Sequence, residues 1–325
     1  MKRSNNPAPA RAFFMGALLL ASFCGTASAA DTIHVGKAQG AAWTFTPIDV
    51  GIDQGIFAKY GIELDVAALA GDAKVQQALV SNSIDIGLGS GPGMAFMAKG
   101  SPAIGVASFA GAPRNISAIV LVDSPVKTVA DLKGKMIAVS TVGSLSDWLA
   151  KQMAVQEGWG VDGAHNVPLG AIEASIAALK AKQVDAVVLA TEAGFQLEDR
   201  KEGHVLIGMD KYAPHFITHV IFAQRQMVRD NPALVERFLK GFFASIAFVK
   251  TNKEKSSVVA QRVLNLSAPI VSRIYDYEAQ MLQDDGSFDP QAVATLKQSF
   301  VDMGTLDKKP ADSELFTTQF LPVKP

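Results

Sequence analysis

The stretch Ile84-Asp85-Ile86-Gly87-Leu88-Gly89-Ser90-Gly91-Pro92-Gly93 runs from apolar residues into four glycines at alternate positions. Turns of this kind can cradle a phosphate on backbone N–H groups, and the spacing tests that chemistry. A dinucleotide fingerprint starting at Gly87 and Gly89 needs its third glycine at position 92, which is proline. No Gly-Lys-Ser/Thr follows, so a P-loop is excluded as well. Nucleophilic catalysis fails on spacing too. Ser90 has Gly89 and Gly91 as direct neighbours, whereas a nucleophile elbow places its glycines two residues away on either side. His215 and His219 share a face in helix or strand geometry, but no acid stands between them. His34, His165 and His204 lie in separate segments, so neither a metal nor another cofactor is expected.

The elements that must position these residues alternate. Residues 32–36 (TIHVG) read as a strand. Residues 46–61 carry Ile48, Ile52, Ile56 and Phe57 at helical spacing behind Pro47. A strand at 62–69, a helix N-capped by Asp72 and a strand entering the glycines complete the unit. The second half repeats this order. Trp159-Gly160-Val161-Asp162 answers Tyr60-Gly61-Ile62-Glu63 at an offset of 99, and Ala178, Leu179 and Asp185 answer Ala78, Leu79 and Asp85 at 100. Self-similarity at so long a period marks a duplicated unit. Each half is an α/β lobe whose parallel strands need helical crossovers. A β-branched strand at 215–223 and a Phe/Leu-striped helix from Asn231 follow. The remainder, 254–325, is largely helical and is expected to return to the first lobe.

Ligands of open α/β sheets sit beyond the carboxyl ends of strands, near helix N-termini. Four loops qualify: Gly36–Trp43, Gly89–Gly93, Ser140–Asp147 and Ala190–Gly194. They offer Gln39, Ser90, Gly91, Thr141, Ser144 and Thr191 as polar or backbone contacts, with Trp43, Thr44 and Phe109 against an organic body. Arg114 could clamp a sulfonate or carboxylate bidentately, and Glu192 could accept from an amine or ring N–H. Trp148, on an apolar helix face, reads as core.

The chain of 325 residues, 49% hydrophobic and 19% charged, suits about two domains with a sizeable core. Lys2, Arg3 and Arg11 precede the apolar run Ala12–Phe23, and Ala27-Ser28-Ala29 offers a small-x-small cleavage motif. That order describes a secretory signal peptide over residues 1–29, cleaved near Ala29/Ala30. Cys24, the single cysteine, lies within it; bulky Phe23 before it argues against a lipoprotein anchor. Cleavage leaves 27 basic against 31 acidic residues, a net charge of −4, which disfavours nucleic acid as a partner.

Three segments, Gly51–Val66, Val122–Ser144 and Arg225–Phe242, resemble the solute-binding proteins of ABC importers. The nearest branch is the nitrate, sulfonate and taurine group, with the related thiamine-pyrimidine binders (NMT1-like). The resemblance spans about Ile33 to Lys250. It implies a two-lobed periplasmic-binding-protein type II fold with a hinge and a ligand cleft, the chain crossing between lobes near Ala110–Ser117 and near Thr218–Phe222. Residues 30–112 and 220–325 would form lobe 1, and 113–219 lobe 2. The implied protein is a periplasmic monomer, not an enzyme, that binds a small-molecule ligand and delivers it to ABC permease subunits. The first-choice ligand is a small organic anion of sulfonate or carboxylate type. The alternatives are a pyrimidine-like or aromatic metabolite, or a sensor role at a receptor. An enzymatic relative, the eukaryotic thiamine-pyrimidine synthase, relies on a cysteine-rich segment that this chain lacks beyond its leader.

Overall fold

The computed structural model describes Met1 and residues 30–325 apart from 41 and 70. The leader, its cleavage motif and Cys24 lie outside the described residues. Ten strands form two sheets: β1 (Asp31–Lys37), β2 (Ile62–Ala68), β3 (Ile86–Ser90), β4 (Ala103–Ala110), β5 (Ile116–Leu121), β6 (Met136–Val139), β7 (His165–Pro168), β8 (Ala186–Ala190), β9 (Gly203–Gly208) and β10 (His219–Gln224). The sheet orders are β2-β1-β3-β10-β4 and β7-β6-β8-β5-β9. These are the same topology twice. In each sheet four strands are mutually parallel, and one antiparallel strand arrives from the other lobe: β10 between β3 and β4, β5 between β8 and β9.

The duplication extends to single hydrogen bonds. Asp85 accepts from the His34 N–H at 2.8 Å, and Asp185 accepts from the Met136 N–H at 3.0 Å. Asn82 and Lys182 both turn with φ of 56°. A side-chain carboxylate thus stitches the start of β3 to β1 and the start of β8 to β6.

Alternation explains the glycines. Gly87 and Gly89 lie on one face of β3. A Cβ on Gly87 would stand 2.5 Å from Val75, and one on Gly89 2.5 Å from Asp72 Oδ1 and 2.8 Å from Phe222. The helix Asp72–Val80 packs directly on that face. Asp72 opens this helix without capping it. Its carboxylate instead accepts from Ser90 N–H at 2.7 Å and from the Ser90 hydroxyl at 2.6 Å.

The helix Pro232–Thr251 has proline at its first position and buries Val235, Phe238, Leu239, Phe242, Phe243, Ile246 and Val249 against lobe 1. Burying each such side chain contributes roughly 1.5–3 kcal/mol. The C-terminal region returns to lobe 1, where Leu282 bridges Ala110 and Phe316 bridges Gly105. No helix among the described residues is long and apolar enough to cross a membrane.

Candidate ligand site between the lobes

Two connections pass between the sheets, one from β4 to β5 and one from β9 to β10. They are tied together where they leave lobe 1: Thr218 N–H donates to Ala110 O at 2.9 Å, and the Thr218 hydroxyl donates to Gly111 O. Around this double crossing, polar side chains from both lobes are buried together.

From lobe 1 comes the loop after β1. A partly buried ion pair, Lys37 Nζ to Asp49 at 2.9 and 3.1 Å, ties the end of β1 to the helix Thr46–Asp53 and so braces both ends of that loop. Trp43 is buried with its ring edge-on to Tyr275, centroids 5.7 Å apart. Thr44 places its hydroxyl 3.1 Å from Nε2 of His219, the first residue of β10.

The His219 ring stacks on Phe109 at 5.4 Å, and its Nδ1 lies 3.3 Å from Gly89 O. A carbonyl only accepts, so Nδ1 carries the hydrogen and Nε2 is the acceptor, facing Thr44 Oγ1 and Asn115 Nδ2 (3.3 Å). Burial holds this imidazole neutral, its pKa pushed down to about 4.

From lobe 2 comes the first turn of the helix Thr191–Asp199. The Thr191 hydroxyl donates to Arg114 O at 2.9 Å and accepts from Ser117 Oγ at 2.7 Å. Glu192 reaches across to lobe 1, where its Oε1 accepts from the Trp43 N–H at 3.2 Å. Its Oε2 is buried without a partner among the described residues.

Glu278, the last residue of the helix Ala268–Glu278, is fully buried with neither carboxyl oxygen hydrogen-bonded among the described residues. Burial raises the pKa of both glutamates, and the Glu192 charge nearby adds to the rise at Glu278. Asn115 Oδ1 is a further buried, unpartnered acceptor.

Trp43, Thr44, Phe109, Thr191 and Glu192 are therefore brought together. Arg114 lies at the margin, its Nε 3.8 Å from Asp210 and its guanidinium carbon 5.9 Å from the Tyr277 ring centroid. Gln39 and Thr141 are exposed on their loops. Ser90 is occupied by Asp72, and the Gly91 N–H donates to Thr218 O at 2.9 Å. Ser144 caps the helix Leu145–Gln156, accepting from Asp147 N–H at 3.3 Å. Trp148 is core, stacked on Phe216 at 4.9 Å, yet its Nε1–H also reaches Asp302 at 3.3 Å.

Sequence reasoning weighed His219 only as half of a metal pair with His215, and passed over Asn115, Glu278, Tyr275 and Tyr277. His219 carried a signal, since it opens the strand expected to cross between lobes. Glu278 carried none. Two surface hollows lie elsewhere and meet at Phe316: one lined by Phe288, Val293 and Lys297, the other by Ile104, Arg225 and Val228.

Two α/β lobes joined by a double crossing, with buried polar groups converging between them, define the architecture of a periplasmic binding protein. The Escherichia coli periplasmic aliphatic sulphonate binding protein SsuA shares it, with a TM-score of 0.76 at 20% identity over 88% of this chain and 92% of that one. The desulfurization enzyme DSZB also shares it, with a TM-score of 0.62 at 18% identity over 90% and 97%. A Brucella abortus protein named as a binding protein is 24% identical over 260 residues, 79% of each chain. The model of the NMT1/THI5-like family matches residues 43–256. The chain belongs to that family.

Proposed function

We propose that this protein captures a small organic solute between its lobes and delivers it to the permease subunits of an ABC importer, working in the periplasm as a monomer. Residues 30–112 with 220–325 form one jaw and 113–219 the other. The observation that carries this reading is the bond from Trp43 N–H to Glu192, which joins the loop after β1 to the helix after β8 across the lobe boundary. A solute inserted there separates or replaces such contacts, and hinge closure on it produces the form a transporter reads. Binding, not turnover, is the task. Micromolar affinity, about −8 kcal/mol, suits it.

The name of the sulphonate-binding neighbour and the placement of Arg114 near the crossing support an organic anion as solute. A second reading, a pyrimidine-like or otherwise N–H-bearing metabolite, is favoured by the unpartnered acceptors of Asn115, Glu192 and Glu278. It is favoured also because the hydroxyls of Ser90 and Thr191 already donate to Asp72 and Arg114 O.

A thermal-shift screen against sulfonates, carboxylates and pyrimidines, followed by calorimetry, is expected to yield a binder whose affinity Trp43→Ala lowers at least tenfold. Unchanged binding in that variant removes this site. Turnover of the hit removes the binding-only reading, and uptake by vesicles carrying the permease separates a transport role from a receptor role.

A further inference from the structure

We propose that Glu278 and Glu192 form a subsite for a protonated nitrogen of the solute: an ammonium, amidinium or guanidinium group held where the two lobes meet. This rests on the solute-binding reading above and specifies the chemistry it selects.

The two carboxyls come from opposite lobes, one from the first turn of the helix Thr191–Asp199 and one from the last residue of the helix Ala268–Glu278. Glu192 is 6% exposed and Glu278 0%. Three of their four oxygens have no hydrogen-bond partner among the described residues, so the carboxyls do not bond to each other. Buried polar groups left in this condition cost free energy, and buried carboxylates cost most of all, unless something donates to them.

Among the described residues no cation pairs with either acid, and Lys253 beside Tyr275 is held by Asp276. Lys37 is paired with Asp49, Arg114 faces Asp210, Arg273 is paired with Glu198, and His219 is neutral. Burial and the neighbouring Glu192 dominate the environment of Glu278, with no cation offsetting them. Tyr275 and Tyr277 precede Glu278 on its helix, and their rings already meet Lys253 at 5.4 Å and Arg114 at 5.9 Å, so the aromatic surroundings beside the acids are ones that attract cations. Glu278 also sits at the negative end of its helix, where a cation is favoured and a bare carboxylate is not. A carboxyl kept protonated by this setting gives up its proton when a cation arrives.

The test is calorimetry of the purified protein with butylamine, agmatine and benzamidine against the anions butanesulfonate, butyrate and benzoate, in phosphate and in Tris buffer. The cations are expected to bind at least tenfold more tightly than their anionic counterparts. Their binding heats should differ between the buffers because a proton is released. Glu278→Gln should lower cation affinity at least tenfold and abolish the buffer difference while its melting temperature holds or rises; Glu192→Gln is the second variant, expected to act likewise. Cations that bind no better than anions overturn the subsite, as does a folded Glu278→Gln protein with unchanged cation affinity and proton release. If anions alone bind, the subsite falls and solute capture stands. If no compound of either charge binds, the subsite falls; solute capture falls with it only when the pyrimidines of the thermal-shift screen fail too.

Discussion

The turn after β3 and the turn after β8 hold the same place in two sheets of the same order, and they do the same structural task. Gly91 N–H donates to Thr218 O in the connection entering lobe 1, and Thr191 N–H, one hundred residues on, donates to Asn115 O in the connection entering lobe 2. Their side chains differ completely. The first turn is closed on itself: Asp72 takes both donors of Ser90, and a Cβ on Gly91 would lie 1.9 Å from Ile217 O. The second carries Thr191 and Glu192, and Glu192 keeps an oxygen free of partners. One copy of this turn has become frame, while the other faces the lobe boundary with an acceptor unpartnered among the described residues.

Substitution should expose that difference. Gly91→Ala drives a methyl into a backbone carbonyl and is expected to destabilise the protein by about 3 kcal/mol in urea titration. A loss under 1 kcal/mol would break the claim that this turn is frame.

The next effect is one of pH. His219 titrates at about 4 in the fold against 6.5 when unfolded, so on acidification the unfolded chain takes up the proton first. Stability should fall between pH 6.5 and about 4, by about 3 kcal/mol in full. His219→Gln should remove that component, as read by unfolding at pH 7 and pH 4.5.

Asp72→Ala strands two donors of Ser90 and should cost about 2 kcal/mol.

For the carboxyls between the lobes the sign reverses. The raised carboxyls of Glu192 and Glu278 hold protons longer in the fold than in the unfolded chain. Their contribution is present at low pH and is lost as pH rises through their raised values. Glu278→Gln should flatten that alkaline loss, giving a melting temperature at pH 8 at or above that of the wild type. Smallest of all, Gln39→Ala and Thr141→Ala, on exposed loops, should change stability by no more than about 0.5 kcal/mol.

The fold was legible because its signals are local or periodic. Asp85 and Asp185 stood at matching offsets, and the strand containing His219 was readable from its β-branched run, its crossing between lobes from the family resemblance. Of the candidate site, the loops after strands pointed to Trp43, Thr44 and Glu192, which the structure brings together at the lobe boundary. The site was not legible where a partner arrives from a distance in the chain. Nothing near Ser90 announces that Asp72, eighteen residues earlier, will take its hydroxyl. Nothing in the periodicity of the helix Ala268–Glu278 distinguishes Glu278 from a solvated helix-end acid, because only the returning path of the C-terminal region buries it. The β3 glycines illustrate the same limit. Sequence shows that clearance is needed, and packing shows that Val75, Asp72, Phe222 and Ile217 use it.

The place of β10 has a consequence for how the chain reaches this state. It lies between β3 and β4, and its residues follow theirs by more than a hundred positions. The first lobe cannot complete its sheet until synthesis has passed Gln224, nor cover the edge of β4 until Leu282 and Phe316 have emerged. Loop closure over such separations is slow. The second sheet, contiguous from β5 to β9, needs no later segment to close it, so the sheet begun first in the chain is the one completed last.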